Sequence, residues 1–185
     1  MNSLRLRAAA RAVKAGGLIA YPTEAVYGLG CDPRNEKAVR RLLALKRRSP
    51  RKGLILIAAD FAQLALFLQP LTEADHARLA TTWPGPHTWL IPTRPNTPRW
   101  LRGQHDTLAV RVTAHPLAAA LCRACGHPLV STSANFSGRP PARCALAVRR
   151  QLGTAIDCLL PGPTGGAARP TEIRDLRTGR RVRGG

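Results

Sequence analysis

Aromatic residues, acidic residues and long apolar runs are all scarce in this 185-residue sequence. Aromatic residues make up 4% of the chain, and only ten residues are acidic against 29 lysines and arginines. No run approaches the ~18 apolar residues of a membrane-spanning helix, and the N-terminus lacks the apolar stretch and cleavage site of a signal peptide. We therefore expect a single domain over residues 1–185, located in the cytoplasm, with a largely aliphatic core.

The cysteines and histidines show no metal-binding pattern. The cysteine count is five, and an odd number in a chain expected in the cytoplasm argues against a disulfide framework. The segment "CRAC" at residues 122–125 has CxxC spacing, but no second pair lies nearby and the surrounding pattern is helical. The five histidines have no ligand spacing either. We predict ordinary buried thiols and no protein-held metal site.

Two common nucleotide-binding motifs are also missing. Gly28 and Gly30 follow the first predicted strand in "YPTEAVYGLGCDP", which we interpret as a loop whose glycines admit a ligand close to the backbone. A dinucleotide fingerprint would need a third glycine at residue 33, where Pro33 stands. No GK[ST] sequence occurs, which excludes a Walker loop. If the protein binds a nucleotide, other residues must hold the phosphates.

Positive charge is abundant and locally concentrated. The formal net charge is +19 and the isoelectric point about 11.6, which favours nucleic acids, nucleotides or membrane surfaces as partners. Arginine supplies all but four of the basic residues, so the base composition of a GC-rich genome is an alternative explanation for the total. It does not explain "KRRSPRK" at residues 46–52, where five charges fall in seven positions. Such a cluster is favourable where an anion binds inside it.

Helical and strand patterns alternate along the chain. Apolar periodicity predicts helices over 4–14, 36–45, 73–80, 116–125 and 142–152. Strands are predicted over 17–22, 53–58, 87–93, 107–113, 128–133 and 155–161, and one short strand with a basic end after residue 170. Asn35 and the Thr72–Asp75 pair are predicted helix caps. Connections of varied length predict an α/β fold with a mixed sheet.

A second anion-binding candidate follows a buried strand. "STSANFSG" at residues 131–138 presents the three hydroxyls of "STS" at the end of the predicted strand 128–133, followed by an amide and a later glycine. Hydroxyls and backbone N–H groups together bind phosphate or carboxylate oxygens. The alternative is a helix cap or an Asx turn, which would use only one or two of these groups. Together with residues 46–52, the segment predicts a phosphate cradle formed by two loops.

These segments resemble a known family. "YPTEAVYGLGCDP", the Lys46-x-Arg48 pair, "LAVRVTAHP" and "STSANFSG" are together similar to the YrdC/TsaC family of threonylcarbamoyl-AMP synthases, collinearly from about Leu18 to the C-terminus. The resemblance implies the short, single-domain form. It also implies a twisted, largely mixed α/β sheet around a positively charged concave surface.

The resemblance implies the reactants and the residues that hold them. Threonine, bicarbonate and ATP, with Mg²⁺ accompanying ATP, would give threonylcarbamoyl-AMP and pyrophosphate for tRNA N6-threonylcarbamoyladenosine. Lys46 and Arg48 would be the catalytic residues. The expected ATP-binding residues are Lys46, Arg48, Lys52, Thr107, Ser133, Asn135 and Arg183. The expected threonine-binding residues are Thr23, Arg111, Ser131 and Thr171. For Arg111, an ordinary strand ion pair is the alternative, and for Arg183 a solvated tail.

The resemblance further implies that the product passes to the enzymes that transfer it to tRNA. Weak binding to tRNA or other RNA is compatible with the net charge. The alternative function is a non-enzymatic RNA-binding or ribosome-assembly protein. Against it stand the few aromatic residues available for base stacking and the absence of an RNA-binding motif. Dependence on threonine and bicarbonate together would separate the two functions.

Overall fold

The computed structural model describes residues 3–168 and 171–184, and for Arg183 the backbone alone. The helices are Ser3–Lys14 (α1), Glu36–Leu45 (α2), Glu73–Ala80 (α3), Arg99–Arg102 (α4), Pro116–Cys125 (α5) and Ala145–Leu152 (α6). The strands are Ile19–Pro22 (β1), Tyr27–Gly30 (β2), Ile55–Ala58 (β3), His87–Pro92 (β4), Thr107–Val112 (β5), Leu129–Ser133 (β6), Cys158–Leu159 (β7), Glu172–Asp175 (β8) and Arg181–Arg183 (β9).

The strands of the described residues form one mixed sheet. Their order across the sheet is β7-β1-β2-β6-β3-β5-β4-β8-β9. Strand β1 pairs with β7, β3 with β5 and β4 with β8 in parallel, and the other neighbours are antiparallel. The predicted α/β fold with a mixed sheet is therefore confirmed. In the described residues no helix combines the length and apolarity that crossing a membrane requires.

Helices cover both faces of the sheet. Helices α1 and α5 pack together on one face, where Val13 and Leu121 join a buried cluster with Ile57 of β3. Helix α2 and residues of α3, α4 and α6 contribute to a larger cluster that includes Leu56. Adjacent residues of β3 thus serve opposite faces, as the alternation of side chains in a strand requires. The buried apolar run of β3 agrees with the predicted strand covered on both faces.

The predicted helix caps are present. The Asn35 side chain accepts a hydrogen bond from the Ala38 N–H, and so caps α2. Thr72 and Asp75 form a reciprocal capping box at the start of α3, with aspartate in the position that glutamate or glutamine more often fills. These local signals position α2 and α3 as the sequence predicts.

The interpretation of residues 21–33 as a loop is wrong in part. Tyr27–Gly30 forms β2, antiparallel to β1 and β6. A Cβ atom at Gly30 would lie 2.2 Å from the Val130 carbonyl oxygen and 3.0 Å from the Tyr21 ring. Glycine is required there because backbone and ring approach closely, which is a structural reason and not ligand binding. Gly28, in contrast, borders the cavity described below.

The last sequence segment also differs from its prediction. In place of one strand with a basic end, β8 and β9 form an antiparallel hairpin. Asp175 accepts hydrogen bonds from the Thr178 N–H and hydroxyl, and Gly179 follows with φ of 70°. The "D-x-x-T-G" pattern is a turn signal that predicts this reversal. Helix α6 begins at Ala145, three residues later than predicted, and β7 is a two-residue edge strand.

The cysteines lie mainly in the interior. Cys122 and Cys125 of the CxxC segment are buried free thiols on α5, as predicted. Burial raises the pKa of Cys31 to about 12 and that of Cys125 to about 11. Cys144 is exposed at the N-terminus of α6. The buried thiols therefore remain protonated at neutral pH.

Candidate functional site

The ends of several central strands enclose a cavity of about 240 Å³. Six of the predicted site residues line it. They come from both predicted segments, from β5, from the β1–β2 connection and from the residue before β8: Thr23, Arg48, Arg111, Ser131, Ser133 and Thr171. They are drawn together because β6 lies between β2 and β3, and β3 pairs with β5. We call this space the polar cavity. Its lining includes two guanidinium groups, that of Arg48 after α2 and that of Arg111 on β5, together with serine and threonine hydroxyls.

A second cavity of about 220 Å³ shares Arg48, Leu54 and Ile55 with the polar cavity. Lys52 and Thr107, two further predicted site residues, belong to its lining. Its remaining lining is largely aliphatic and comes from β4, β5, α4, β8 and β9: Leu90, Leu101, Leu108, Ile173 and Val182. We call this space the apolar cavity. The two cavities thus meet at Arg48 and the start of β3.

The loop before β3 fixes Arg48. Its Nε and Nη2 atoms donate to the Gly53 carbonyl oxygen at 3.2 and 2.8 Å. Gly53 has φ of 64° and ψ of 172°, a backbone conformation that only glycine adopts readily. A Cβ atom there would also lie 3.0 Å from the Arg102 carbonyl oxygen. Burial lowers the pKa of Arg48 from its usual value. The neighbouring Arg47 is exposed instead.

Lys46 lies behind the cavity wall and is bound to the segment 133–135. Its Nζ donates to the Ser133 carbonyl oxygen at 2.8 Å, to the Asn135 carbonyl oxygen at 2.6 Å and to Asn135 Oδ1 at 2.8 Å. An ammonium has three protons, so all of them are used within the protein. Burial, and then the charge of Arg48, lowers the pKa of Lys46 to about 8. The geometry is that of a residue that fixes a loop.

The Asn135 side chain completes this arrangement. Its Nδ2 donates to the Phe136 carbonyl oxygen and to the Arg139 carbonyl oxygen while Oδ1 accepts from Lys46. The segment that follows β6 is therefore closed on itself around one amide. Lys46 and Asn135 together shape the loop that carries the Ser133 hydroxyl, although neither lines a cavity.

Arg111 forms the opposite part of the polar cavity. Its Nη1 donates to the Thr171 hydroxyl at 3.0 Å, and Nη2 lies 3.2 Å from Glu24 Oε2. Its Nε is buried without a hydrogen-bond partner in the described residues. The strand ion pair considered as an alternative is therefore present, and Arg111 also borders the cavity. Both features belong to one side chain.

Glu24 was not singled out in the sequence, although it lies within the quoted segment "YPTEAVYGLGCDP". It is buried, and its Oε1 accepts a hydrogen bond from the Thr113 hydroxyl at 2.6 Å. Thr113 Oγ1 in turn accepts from the His115 N–H at the start of α5. The signal that could have found it is its chemistry, because a glutamate in an apolar segment needs a cation nearby.

Tyr21 supports the floor of the polar cavity. It is fully buried, and its hydroxyl donates to the Val130 carbonyl oxygen at 3.4 Å and lies against Ser131. Burial raises the pKa of Tyr21 well above its usual value. A neutral hydroxyl beneath Ser131 holds that strand end in place.

Two predicted features stand apart from this description. The Arg183 side chain lies outside what the structure describes, so its predicted role stays a prediction. No group of three or more histidine, cysteine or acidic side chains in residues 3–168 and 171–184 has the arrangement of a metal site. The described lining of both cavities contains no carboxylate.

Comparisons with known proteins found relatives that match nearly the whole chain. The sequence profile of the Sua5/YciO/YrdC family, described as telomere recombination, matches residues 11–185. A threonylcarbamoyl-AMP synthase of Nitrosococcus oceani is 63% identical over 179 residues, covering 97% of each chain. One of Pseudomonas aeruginosa is 54% identical over 183 residues, covering 99% of this chain and 98% of the relative.

Solved structures show the same fold. P. abyssi Sua5 in complex with L-threonine superimposes with a TM-score of 0.87 at 34% identity, over 93% of this chain and 51% of the Sua5 chain. E. coli YciO superimposes with a TM-score of 0.82 at 27% identity, over 96% of this chain and 87% of the other. This chain therefore spans about half of the Sua5 chain and most of the YciO chain.

Proposed function

The chain belongs to the Sua5/YciO/YrdC family, and from this premise we propose that its two cavities hold the reactants of threonylcarbamoyl-AMP synthesis. Relatives that match nearly the whole chain at 53–63% identity bear that name. The enzyme is a transferase that joins threonine, bicarbonate and ATP and releases pyrophosphate. The observation that carries the proposal is the convergence of six predicted site residues on the polar cavity.

Threonine would bind in the part of the polar cavity next to Arg111. The guanidinium suits the substrate carboxylate, because charged pairs between them are short and strong. The hydroxyls of Thr23, Ser131 and Thr171 lie around the same space. The P. abyssi Sua5 complex contains L-threonine, which supports an amino-acid site within this fold.

The ATP phosphates would bind beside Arg48 and Ser133. Arg48 has no acidic partner among the described residues and lines both cavities, so it can contact a chain of phosphates that passes between them. Lys46 would contribute its charge and hold the Ser133–Asn135 loop. The base and ribose would occupy the apolar cavity, near Thr107 and Lys52.

Magnesium would enter as part of the ATP substrate. The lining residues offer hydroxyls and cations and no free carboxylate, which does not suit a resident magnesium site. Phosphate oxygens and water would supply the ligands of the ion.

The chemistry needs no protein nucleophile. The threonine amine attacks the carbon of bicarbonate and water leaves, which gives a carbamate. A carbamate oxygen then attacks the α-phosphorus of ATP, and pyrophosphate leaves. The protein contributes the orientation of three anionic reactants and positive charge around phosphorus. Arg48, at the meeting point of the two cavities, is suited to stabilise the charge that develops there.

Pyrophosphate release tests the proposal directly. With ATP and magnesium present, we expect release only when threonine and bicarbonate are both supplied, because the attacking carbamate forms from those two. Serine in place of threonine is the matched control for the amino-acid site. Release that ignores threonine would identify an ATPase and overturn the proposal.

The same proposal covers the fate of the product. Threonylcarbamoyl-AMP is a mixed anhydride that water hydrolyses, so an enzyme that transfers it to tRNA should act promptly on it. Direct binding of tRNA by this chain, which its net charge of +19 would favour, is a separate question. A gel-shift experiment at two salt concentrations would answer it.

A further inference from the structure

The two guanidinium groups of the polar cavity differ in their charge environment. Arg111 faces Glu24, with 3.2 Å between Nη2 and Oε2, so this pair is close to neutral as a unit. Among the described residues no carboxylate forms an ion pair with Arg48 or Lys46. One wall of the cavity therefore carries the uncompensated charge of Arg48, with Lys46 close to it outside the lining, and the other carries a cation that is already compensated.

Glu24 is held firmly in this role. Its Oε1 accepts a hydrogen bond from the Thr113 hydroxyl at 2.6 Å, whereas Oε2 is buried with no hydrogen-bond partner in the described residues and has the ion pair with Arg111 alone. Its backbone carbonyl oxygen accepts from the Ala167 N–H, so the segment after β7 lies against it. The side chain is buried, and the polar cavity lining does not include it. Glu24 therefore acts on ligands through Arg111.

We propose that Glu24 determines which anion the Arg111 subsite accepts. The negative charge of Glu24 compensates the positive charge of Arg111. Arg111 can still donate hydrogen bonds to the single carboxylate of an amino acid, but the net charge of the pair is too small to attract a polyphosphate. The uncompensated Arg48 and Lys46 attract the phosphates instead. Two anionic substrates are thus sorted between two arginines in one cavity. This inference rests on the proposed function, because it assumes that threonine binds at Arg111.

Competition between two simple ligands tests it. Threonine is titrated into the protein by calorimetry, with and without saturating tripolyphosphate as the probe for the ATP phosphates, at fixed ionic strength. In the wild type we expect the threonine Kd to change less than about 2-fold, because the probe stays at Arg48. In Glu24→Gln, tripolyphosphate should raise the threonine Kd about 10-fold or more and bind in a second equivalent.

Two variants separate charge from structure. Glu24→Asp retains the negative charge, so threonine binding should stay insensitive to tripolyphosphate even if its Kd rises. Glu36→Gln makes the same chemical change in a surface pair with Arg40 on α2 and should behave as the wild type. Glu24→Gln leaves a buried cation uncompensated and will lower stability, so its thermal unfolding is measured with and without tripolyphosphate. The probe should raise its Tm more than that of the wild type.

The outcomes are distinguishable. Threonine binding that tripolyphosphate leaves unchanged in Glu24→Gln would overturn the inference and leave the proposed function intact. Displacement of threonine by tripolyphosphate from the wild type would also overturn it, and this result does not depend on any variant folding. A wild-type protein that binds no threonine would overturn the proposed function together with the inference.

Discussion

Arg48 and Arg47 are adjacent in sequence and differ in position. Arg48 lines both cavities, whereas Arg47 is exposed beyond the end of α2 with φ of 45°. Arg48→Ala should lower kcat about 10- to 150-fold, because one charge-assisted contact of roughly 1.5–3 kcal/mol is lost as charge develops at phosphorus. Arg47→Ala should be nearly normal. Steady-state pyrophosphate release measures both variants.

Equal losses in the two variants would contradict the assignment. They would mean that general positive charge, and not the position of one guanidinium, attracts the substrate. Thermal unfolding of both proteins is the accompanying control, since Arg48→Ala also removes the two hydrogen bonds to the Gly53 carbonyl oxygen, and the rates must be compared where both proteins are folded.

Lys46 should give the enzyme a pH limit near 8. Its pKa is lowered to about 8, so above that pH it becomes an amine with two protons and loses one of its three hydrogen bonds. We expect kcat to fall as pH rises through about 8. Lys46→Arg stays protonated and should move this limit to higher pH, whatever its absolute rate. The pH profile of pyrophosphate release is the measurement.

The lowered pKa of Lys46 affects stability in the opposite direction to kcat. Between about pH 8 and the ordinary pKa of 10.5, the unfolded state retains the proton that the folded state has lost. Stability from this group therefore rises with pH across that window, because the burial of the charge is relieved.

For the activity limit, Lys37→Arg, at an exposed position on α2, is the matched control and should leave the pH limit of kcat near 8. A limit unchanged in Lys46→Arg would show that another group titrates.

At this scale the sequence predicted which residues the fold brings together better than it predicted their contacts. Lys46 and Arg48 form one motif in the sequence, yet one is bound to a loop and the other borders both cavities. Spacing along the chain does not reveal which side-chain N–H groups already donate hydrogen bonds within the protein. Glu24 escaped notice for the same reason, since its partner Arg111 lies 87 positions away.

At the scale of elements, the helices with local cap signals were predictable, whereas the short helix α4 and the irregular strands were not. The caps at Asn35 and Thr72 are local signals, so α2 and α3 begin where expected. Strand β2 was missed because its two glycines lower β-propensity, and only pairing with β1 and β6 makes it a strand. The β8–β9 hairpin was missed although its turn residues are readable. Tertiary pairing decides such segments, and local propensity does not.

At the scale of the whole molecule, the KM values for ATP and for threonine should respond differently to salt. The net charge of +19 attracts ATP over long distances, and salt screens that attraction. Raising the salt concentration from about 50 to 500 mM should raise the KM for ATP roughly 5- to 10-fold, since the Debye length falls several-fold over that range. The KM for threonine, a zwitterion, should change less than about 2-fold.

Steady-state kinetics with potassium chloride measures both constants. Potassium sulfate at equal ionic strength is the comparison, because a divalent anion that binds at Arg48 would compete with ATP beyond simple screening. A threonine KM that rises in parallel with that for ATP would mean that the net charge attracts both substrates alike, and would contradict the prediction.

The distribution of thiols has a practical consequence for labelling the protein in solution. Cys31, Cys122 and Cys125 are buried and Cys158 is partly buried, whereas Cys144 is exposed. Thiolate is the reactive form, and burial disfavours it, so a maleimide dye should attach to Cys144 first. That residue stands just after the loop that Asn135 closes and immediately before α6. The natural chain thus provides a fluorescent attachment point next to the Ser133–Asn135 loop without any engineered cysteine.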